Sequence, residues 1–162
     1  MSVKITYSIP PDVAIEETVD SIKHQVEARS YDVANELRNS ALEVLRGSRS
    51  GRRYKVPGTF RRQRDKADGK MKNGRYYTAS APGEPPAMRT GNFRNSWQPT
   101  VRTVYGSHIS RIESDARTDN GKYLLGEILE DGTGRMAPRP YMDRILEKTE
   151  KQAIRIYSEP YD

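Results

Sequence analysis

Residues 80–97 read SAPGEPPAMRTGNFRNSW, and the reading of the rest of the chain works outward from this stretch. Pro82, Pro85 and Pro86 fix φ and lack backbone donors, while Gly83 and Gly91 permit tight turns. The run ends in Phe93 and Trp97, bulky side chains suited to a half-buried strand. An extended, turn-rich entry into a sheet is therefore expected. The stretch holds no nucleophile beside a base, no metal-binding cluster and no phosphate-cradling loop, so its residues point to positioning rather than catalysis.

Downstream, residues 92–105 read as a strand around Trp97, Val101 and Val104, bent at Pro99, where a ladder donor is missing. Gly106-Ser107 marks a turn, and His108 to Ser114 would close an antiparallel hairpin. Ile109 and Ile112 break strict alternation there and hint at a bulge. Asp119-Asn120-Gly121 is a strong turn signal. Lys122 to Glu130 is apolar in clusters and reads as a short helix or turn followed by a strand. Asp131-Gly132-Thr133-Gly134 forms the next turn. Pro138-Arg139-Pro140 then enters a last helix, with Pro140 suited to its first turn and an end near Tyr157. Tyr141, Ile145, Lys148 or Thr149, Gln152 and Ile156 lie on one stripe of that helix, widened towards the core by Leu146, Ala153, Ile154 and Tyr157, with Glu147 and Lys151 as a supporting pair.

Upstream, Val19, Ile22, Val26, Val33, Leu37, Ala41 and Val44 recur at threes and fours. They predict one amphipathic helix from about Asp12 or Glu17 to Arg46, stopped by Gly47. Val3, Ile5 and Tyr7 form a candidate edge strand before Pro10. The segment between helix and hinge, residues 46–79, reads as a basic flexible loop or arm, with only Tyr54, Val56, Phe60 and Met71 as scattered apolar anchors. From Arg46 to Arg75 there are 12 Lys or Arg against two Asp, a local net of +10 that leaves −4 for the rest of the chain. Arg52, Arg53, Arg61, Arg62 and Arg64 either meet DNA phosphates or order against acidic faces of neighbouring subunits.

Composition sets further bounds. In 162 residues, 34% hydrophobic against 31% charged leaves a small core, so partner subunits are expected to supply part of the stability. With no cysteine and two isolated histidines, His24 and His108, neither disulfides nor a zinc site are expected, and the product reads as cytosolic. No apolar run approaches the roughly 20 residues needed to span a bilayer, and no secretory pattern opens the chain. Glu127, Glu130 and Asp131 form an acidic group near a glycine-rich turn. A turn with Glu130 bonded to backbone amides is expected there in preference to catalysis, and neither enzymatic activity nor a cofactor is expected.

Two ordered blocks also carry a resemblance. Pro82, Gly83, Pro85, Pro86, Thr90, Gly91, Phe93 and Ser96 match the Pro-Gly-x-Pro-Pro-x-x-x-Thr-Gly-x-hydrophobic-x-x-Ser signature of the HK97-type neck or tail-completion proteins of long-tailed phages. Tyr123, Leu129, Glu130, Gly132, Thr133, Pro138, Arg139, Pro140 and Tyr141 match that family's second block. Tyr123 lies farther from Glu130 than is usual there, and Asp131 stands where an aromatic residue is common. The resemblance covers about half of the chain, roughly 76–156.

The reading that follows is a single α+β domain: a long N-terminal helix and a C-terminal helix packed on a small, mostly antiparallel sheet, with a long basic loop. The resemblance implies a structural virion protein made in the bacterial host cytoplasm. It would form a cyclic ring of about six or twelve copies at the head–tail junction, around the DNA channel. Its partners would be itself, the connector or head-completion proteins and the tail proteins, with possible contact to packaged DNA and no membrane. The alternative is a nucleic-acid-binding protein using residues 46–75 as a basic arm.

Overall fold

A computed structural model of the chain describes residues 11–56 and 74–161. The candidate edge strand at Val3 to Tyr7 lies outside them, as do Arg61, Arg62 and Arg64. Helix α1 runs from Pro11 to Arg46, with Asp12 in its first turn and Arg46 in its last, charges that suit the two ends of the helix dipole. At about 1.5 Å per residue it is roughly 54 Å long.

Strands β1 (Arg53–Lys55) and β2 (Tyr76–Thr78) pair as one antiparallel ribbon, and β3 (Gln98–Val104) and β4 (Ser107–Glu113) as another. Between them lies the short helix α2 (Asn92–Asn95); helices α3 (Leu125–Asp131) and α4 (Met142–Ser158) follow. The α+β expectation holds, with the sheet divided into two separate two-stranded pieces.

Helix α1 is the platform on which α4, β3 and β4 pack. Small residues allow the close approach: Ser30, Ala34 and Ala41 are fully buried. The Ser30 hydroxyl donates to Val26 O at 2.8 Å and lies 3.0 Å from the Tyr157 hydroxyl, while Ser110 Oγ donates to Ser30 O at 2.7 Å. The core joins Ala41 and Leu45 of α1 to Trp97, Tyr141 and Ile145. At the far end, Arg29 holds the C-terminal tail by donating to the carbonyls of Glu159 and Pro160, with its guanidinium 3.8 Å from the Tyr161 ring centroid.

Several sequence expectations are corrected. Residues 92–95 form a helical turn that Gly91 enters at φ 89°, so Phe93 is delivered to the core from a helix and not from a strand. Strand β3 passes straight through Pro99, which pairs with Ile112, and the β3–β4 register is continuous, without a bulge. The turn is Tyr105-Gly106, both at positive φ, which matches the right-handed twist of the hairpin. Residues 125–131 form a helix, and among the described residues no strand follows it. Pro140 precedes Tyr141, the N-cap of α4, and does not occupy the first turn.

The apolar stripes are also less covered than periodicity implies. Val19 and Ile22 on α1, and Leu146, Ile154 and Tyr157 on α4, are exposed. Lys148 of α4 pairs with Glu43 of α1 at 2.6 Å, and among the described residues no ion pair joins Glu147 to Lys151. No helix among the described residues is long and apolar enough to cross a membrane.

Candidate functional site: two joined motifs and a clamped basic ribbon

The two blocks of sequence that stand out, around residues 82–97 and 130–141, meet in space. Arg139 Nη1 donates to the carbonyl and hydroxyl of buried Ser80 and reaches Ala81 O at 3.4 Å. Gly83 N donates to Pro138 O at 3.1 Å, and Arg139 N to Leu129 O at 2.9 Å. Phe93, Trp97 and Tyr141 form an edge-to-face triad, with ring centroids 5.6–5.9 Å apart, the arrangement favoured by the ring quadrupoles. Burial, with the carboxylates of Glu130 and Asp131 nearby, pushes the Tyr141 phenol above its ordinary value; its hydroxyl donates to Gly126 O at 3.2 Å.

Glu130 holds the start of α4. Its Oε2 accepts from Tyr141 N at 3.0 Å and from Met142 N at 3.4 Å, so a carboxylate sits on otherwise unpaired amides at the positive end of the helix. Gly132, at φ 76°, is required where it stands, because an added Cβ would lie 2.6 Å from Met136 O and 2.7 Å from Pro138 N. The Thr133 hydroxyl accepts from the amides of Arg135 and Met136. Pro85 and Pro86 are buried, whereas Pro82, Thr90 and Pro138 are exposed and Pro140 half-buried. Thr90 Oγ1 accepts from Asn92 N at 3.3 Å, fixing the entry to α2.

Beside this framework the chain is clamped where the basic segment leaves and returns. Arg49 donates to Val44 O, Gly47 O and Ser48 O, and twice to Pro86 O. It thereby caps the carbonyls that end α1 and ties them to the proline hinge. Glu84 accepts from Ser50 Oγ at 2.6 Å, Ser50 N at 3.1 Å and Ala81 N at 2.9 Å. These hydrogen bonds, led by that from the Ser50 hydroxyl, hold its carboxyl down at about 2. Gly51 packs so tightly that an added Cβ would lie 2.5 Å from Ala79 O.

From this base rises the ribbon. Arg53 pairs with Thr78, Tyr54 with Tyr77 and Lys55 with Tyr76, and hydrogen bonds between Val56 and Arg75 and between Ala79 and Arg52 extend the ladder. Within the segment read as a basic loop or arm, Arg53–Lys55 and Tyr76–Thr78 thus form a paired ribbon, while residues 57–73 lie outside the described residues. Aromatic and Thr residues pair across the strands, a signal that the charge density hides.

Strand alternation sorts the side chains onto two faces. Arg52, Tyr54, Arg75 and Tyr77 share one, and Arg53, Lys55, Tyr76 and Thr78 the other. The Tyr54 and Tyr77 rings stack at 5.8 Å, and the Arg52 and Arg53 guanidiniums lie 5.7 and 4.4 Å from the centroids of Tyr54 and Tyr76. Each face is therefore both cationic and aromatic, and β1 is exposed along its length. Of the candidate arginines, Arg52 and Arg53 stand on the ribbon, and segment 57–73 between its strands carries Arg61, Arg62 and Arg64 outside the described residues.

Sequence reasoning missed Arg49, Ser80 and Glu84 as the residues that fasten the ribbon's base. Their partners lie more than 30 residues away or are backbone atoms, and neither leaves a local pattern. Among the described residues no group of three or more His, Asp or Glu is placed to hold a metal ion. No family model, curated protein or solved structure matches this chain.

Proposed function

We propose that this chain is a structural protein of a tailed-phage virion, forming a ring at the head–tail junction that joins the connector to the tail around the DNA channel. The reading is carried by one observation. The two blocks that resemble the neck and tail-completion signature, far apart in sequence, are bonded to each other through Arg139, Ser80, Gly83 and Pro138. A signature of prolines and glycines with no reactive group suits a rigid joint, and the clamped ribbon beside it suits a subunit that reaches its neighbours. Contacts repeated around such a ring add up, so attachment does not need a strong interface on any one subunit.

Lysates of a phage deleted for this gene test the proposal by electron microscopy. DNA-filled heads and free tails, joined on adding the purified protein, are expected; normal virions would refute the role.

A second reading, nucleic-acid binding through the ribbon, is favoured by the cations and tyrosines on its two faces. Phosphate contacts release counterions and make affinity fall steeply with salt, and aromatic rings stack on unpaired bases. Under that reading the monomer binds duplex or single-stranded DNA at physiological salt, and substituting Arg61, Arg62 and Arg64 by Ala flattens the salt dependence.

A further inference from the structure

Between α1 and α4 runs an open groove of about 580 Å³. Its floor is apolar, made by Val33 and Leu37 of α1 with Leu146 and Ala153 of α4. Leu146 is 55% exposed, and Ile154, farther along the same helix, 60%. Asp143, Glu147 and Glu150 stand along the groove, and among the described residues no Lys or Arg lines it. An apolar floor beside carboxylates asks for an occupant that is apolar at its centre and cationic at its edges.

The chain itself contains one. Segment 57–73 carries Phe60 followed by Arg61 and Arg62, and Met71 set between Lys70 and Lys72. We infer that this segment of a second copy docks in the α1–α4 groove, with Phe60 or Met71 on the apolar floor and the flanking cations against Asp143, Glu147 and Glu150. The inference rests on the ring reading proposed above and names the contact that would build the ring.

Charge favours it, since the Arg46–Arg75 segment carries +10 and the rest of the chain −4. The ring reading favours a second copy, since contacts between subunits are what build a ring. The larger contacts of the β1–β2 ribbon among the described residues are within itself, and its base is fastened beside the end of α1 through Arg49. Arm and groove are different surfaces, so each subunit gives one contact and takes one. This is the head-to-tail arrangement that closes into rings.

Zero-length carbodiimide cross-linking of an equal mixture of unlabelled and heavy-isotope-labelled full-length protein tests the contact, with peptides read by mass spectrometry and assembly by light scattering. Links from Lys66, Lys70 or Lys72 to Asp143, Glu147 or Glu150 are expected, with mixed-isotope pairs as frequent as same-isotope pairs. Leu146→Asp, or Glu147→Lys with Glu150→Lys, should abolish the mixed pairs and shift the oligomer to monomer. Because these positions are exposed, the melting temperature should hardly move. Same-isotope links alone would mean that the arm folds back on its own groove, and would overturn the inference. Oligomers without these links would also overturn it while leaving the ring reading intact; failure of the head–tail role itself shows separately, in the lysates of the deletion phage. DNA binding that survives every groove substitution, with no mixed links, would assign the arm to nucleic acid and refute the docking.

Discussion

Replacing Arg139 by Ala should unfasten the two motif blocks, and the size of the effect follows from its contacts. Arg139 Nη1 serves two acceptors on Ser80, a residue only 7% exposed, and reaches Ala81 O. A hydrogen bond to a charged group contributes about 1.5–3 kcal/mol, and a buried acceptor left bare costs about 1–3 kcal/mol. Arg139 is only half-buried, and water will reach part of the gap. The net loss should therefore be about 2–3 kcal/mol.

With a urea m-value of about 2 kcal/mol/M for a domain of this size, the unfolding midpoint should fall by roughly 1–1.5 M. Circular dichroism at a helical wavelength reads the midpoint, and amide exchange at residues 80–86 should quicken more than exchange in α1. The backbone bonds Arg139 N to Leu129 O and Gly83 N to Pro138 O remain, so the fold should survive. Arg139→Lys, with a single charged head in place of the planar fork, should recover only part of the loss. A midpoint unchanged within about 0.2 M, roughly 0.4 kcal/mol, would refute the idea that this side chain joins the blocks.

Other outcomes follow from the same geometry. Trp97 is 5% exposed, and its buried Nε1 has no hydrogen-bond partner among the described residues. Trp97→Ala should thus cost about 3–5 kcal/mol, but Trp97→Phe, which also removes an unsatisfied donor, only about 1 kcal/mol, both measured by denaturant titration. Glu84 has its carboxyl lowered from an ordinary 4.5 to about 2. Its contribution is therefore complete above pH 4.5 and fades as the pH falls towards 2. Amide exchange at Ser50 and Ala81, corrected for its intrinsic pH dependence, should lose protection across that window in the native protein and lack this transition in Glu84→Gln. Gly132→Ala brings a positive-φ strain of about 1–2 kcal/mol together with a backbone clash, so thermal unfolding should show a loss of more than about 2 kcal/mol.

Much of the fold is legible in the residues, and the failures have physical causes. The three-and-four spacing from Val26 to Val44 gave α1 its buried face, since helical periodicity is a local property. The same spacing at Val19 and Ile22 marks a face without saying what covers it, and these residues are exposed. The strand at Ser107 to Glu113 is legible but its bulge is not there: burial alternates along it, and Ile109 and Ile112 break the sequence pattern because one faces out and the other contacts the core. Phe93 was misread because bulk suits either a strand or a short helix, and Gly91 at positive φ decided for the helix.

The β1–β2 ribbon was hidden by its own charge: three-residue strands rich in Arg and Lys resemble a solvated loop until Tyr54 is seen opposite Tyr77. The hinge was recognisable from its prolines and glycines. Its fastening by Arg49, Glu84 and Arg139 was not, because long-range hydrogen bonds to backbone carbonyls and amides leave no periodic trace.

The central claim, a ring joining head to tail, is tested most directly by cryo-electron microscopy of the head–tail junction in virions of the phage that encodes this chain. A closed ring of this fold between connector and tail is expected, with α1 and α4 of each subunit meeting the basic segment of the next. A junction fully built from other proteins, with this chain absent from the particle, would contradict it.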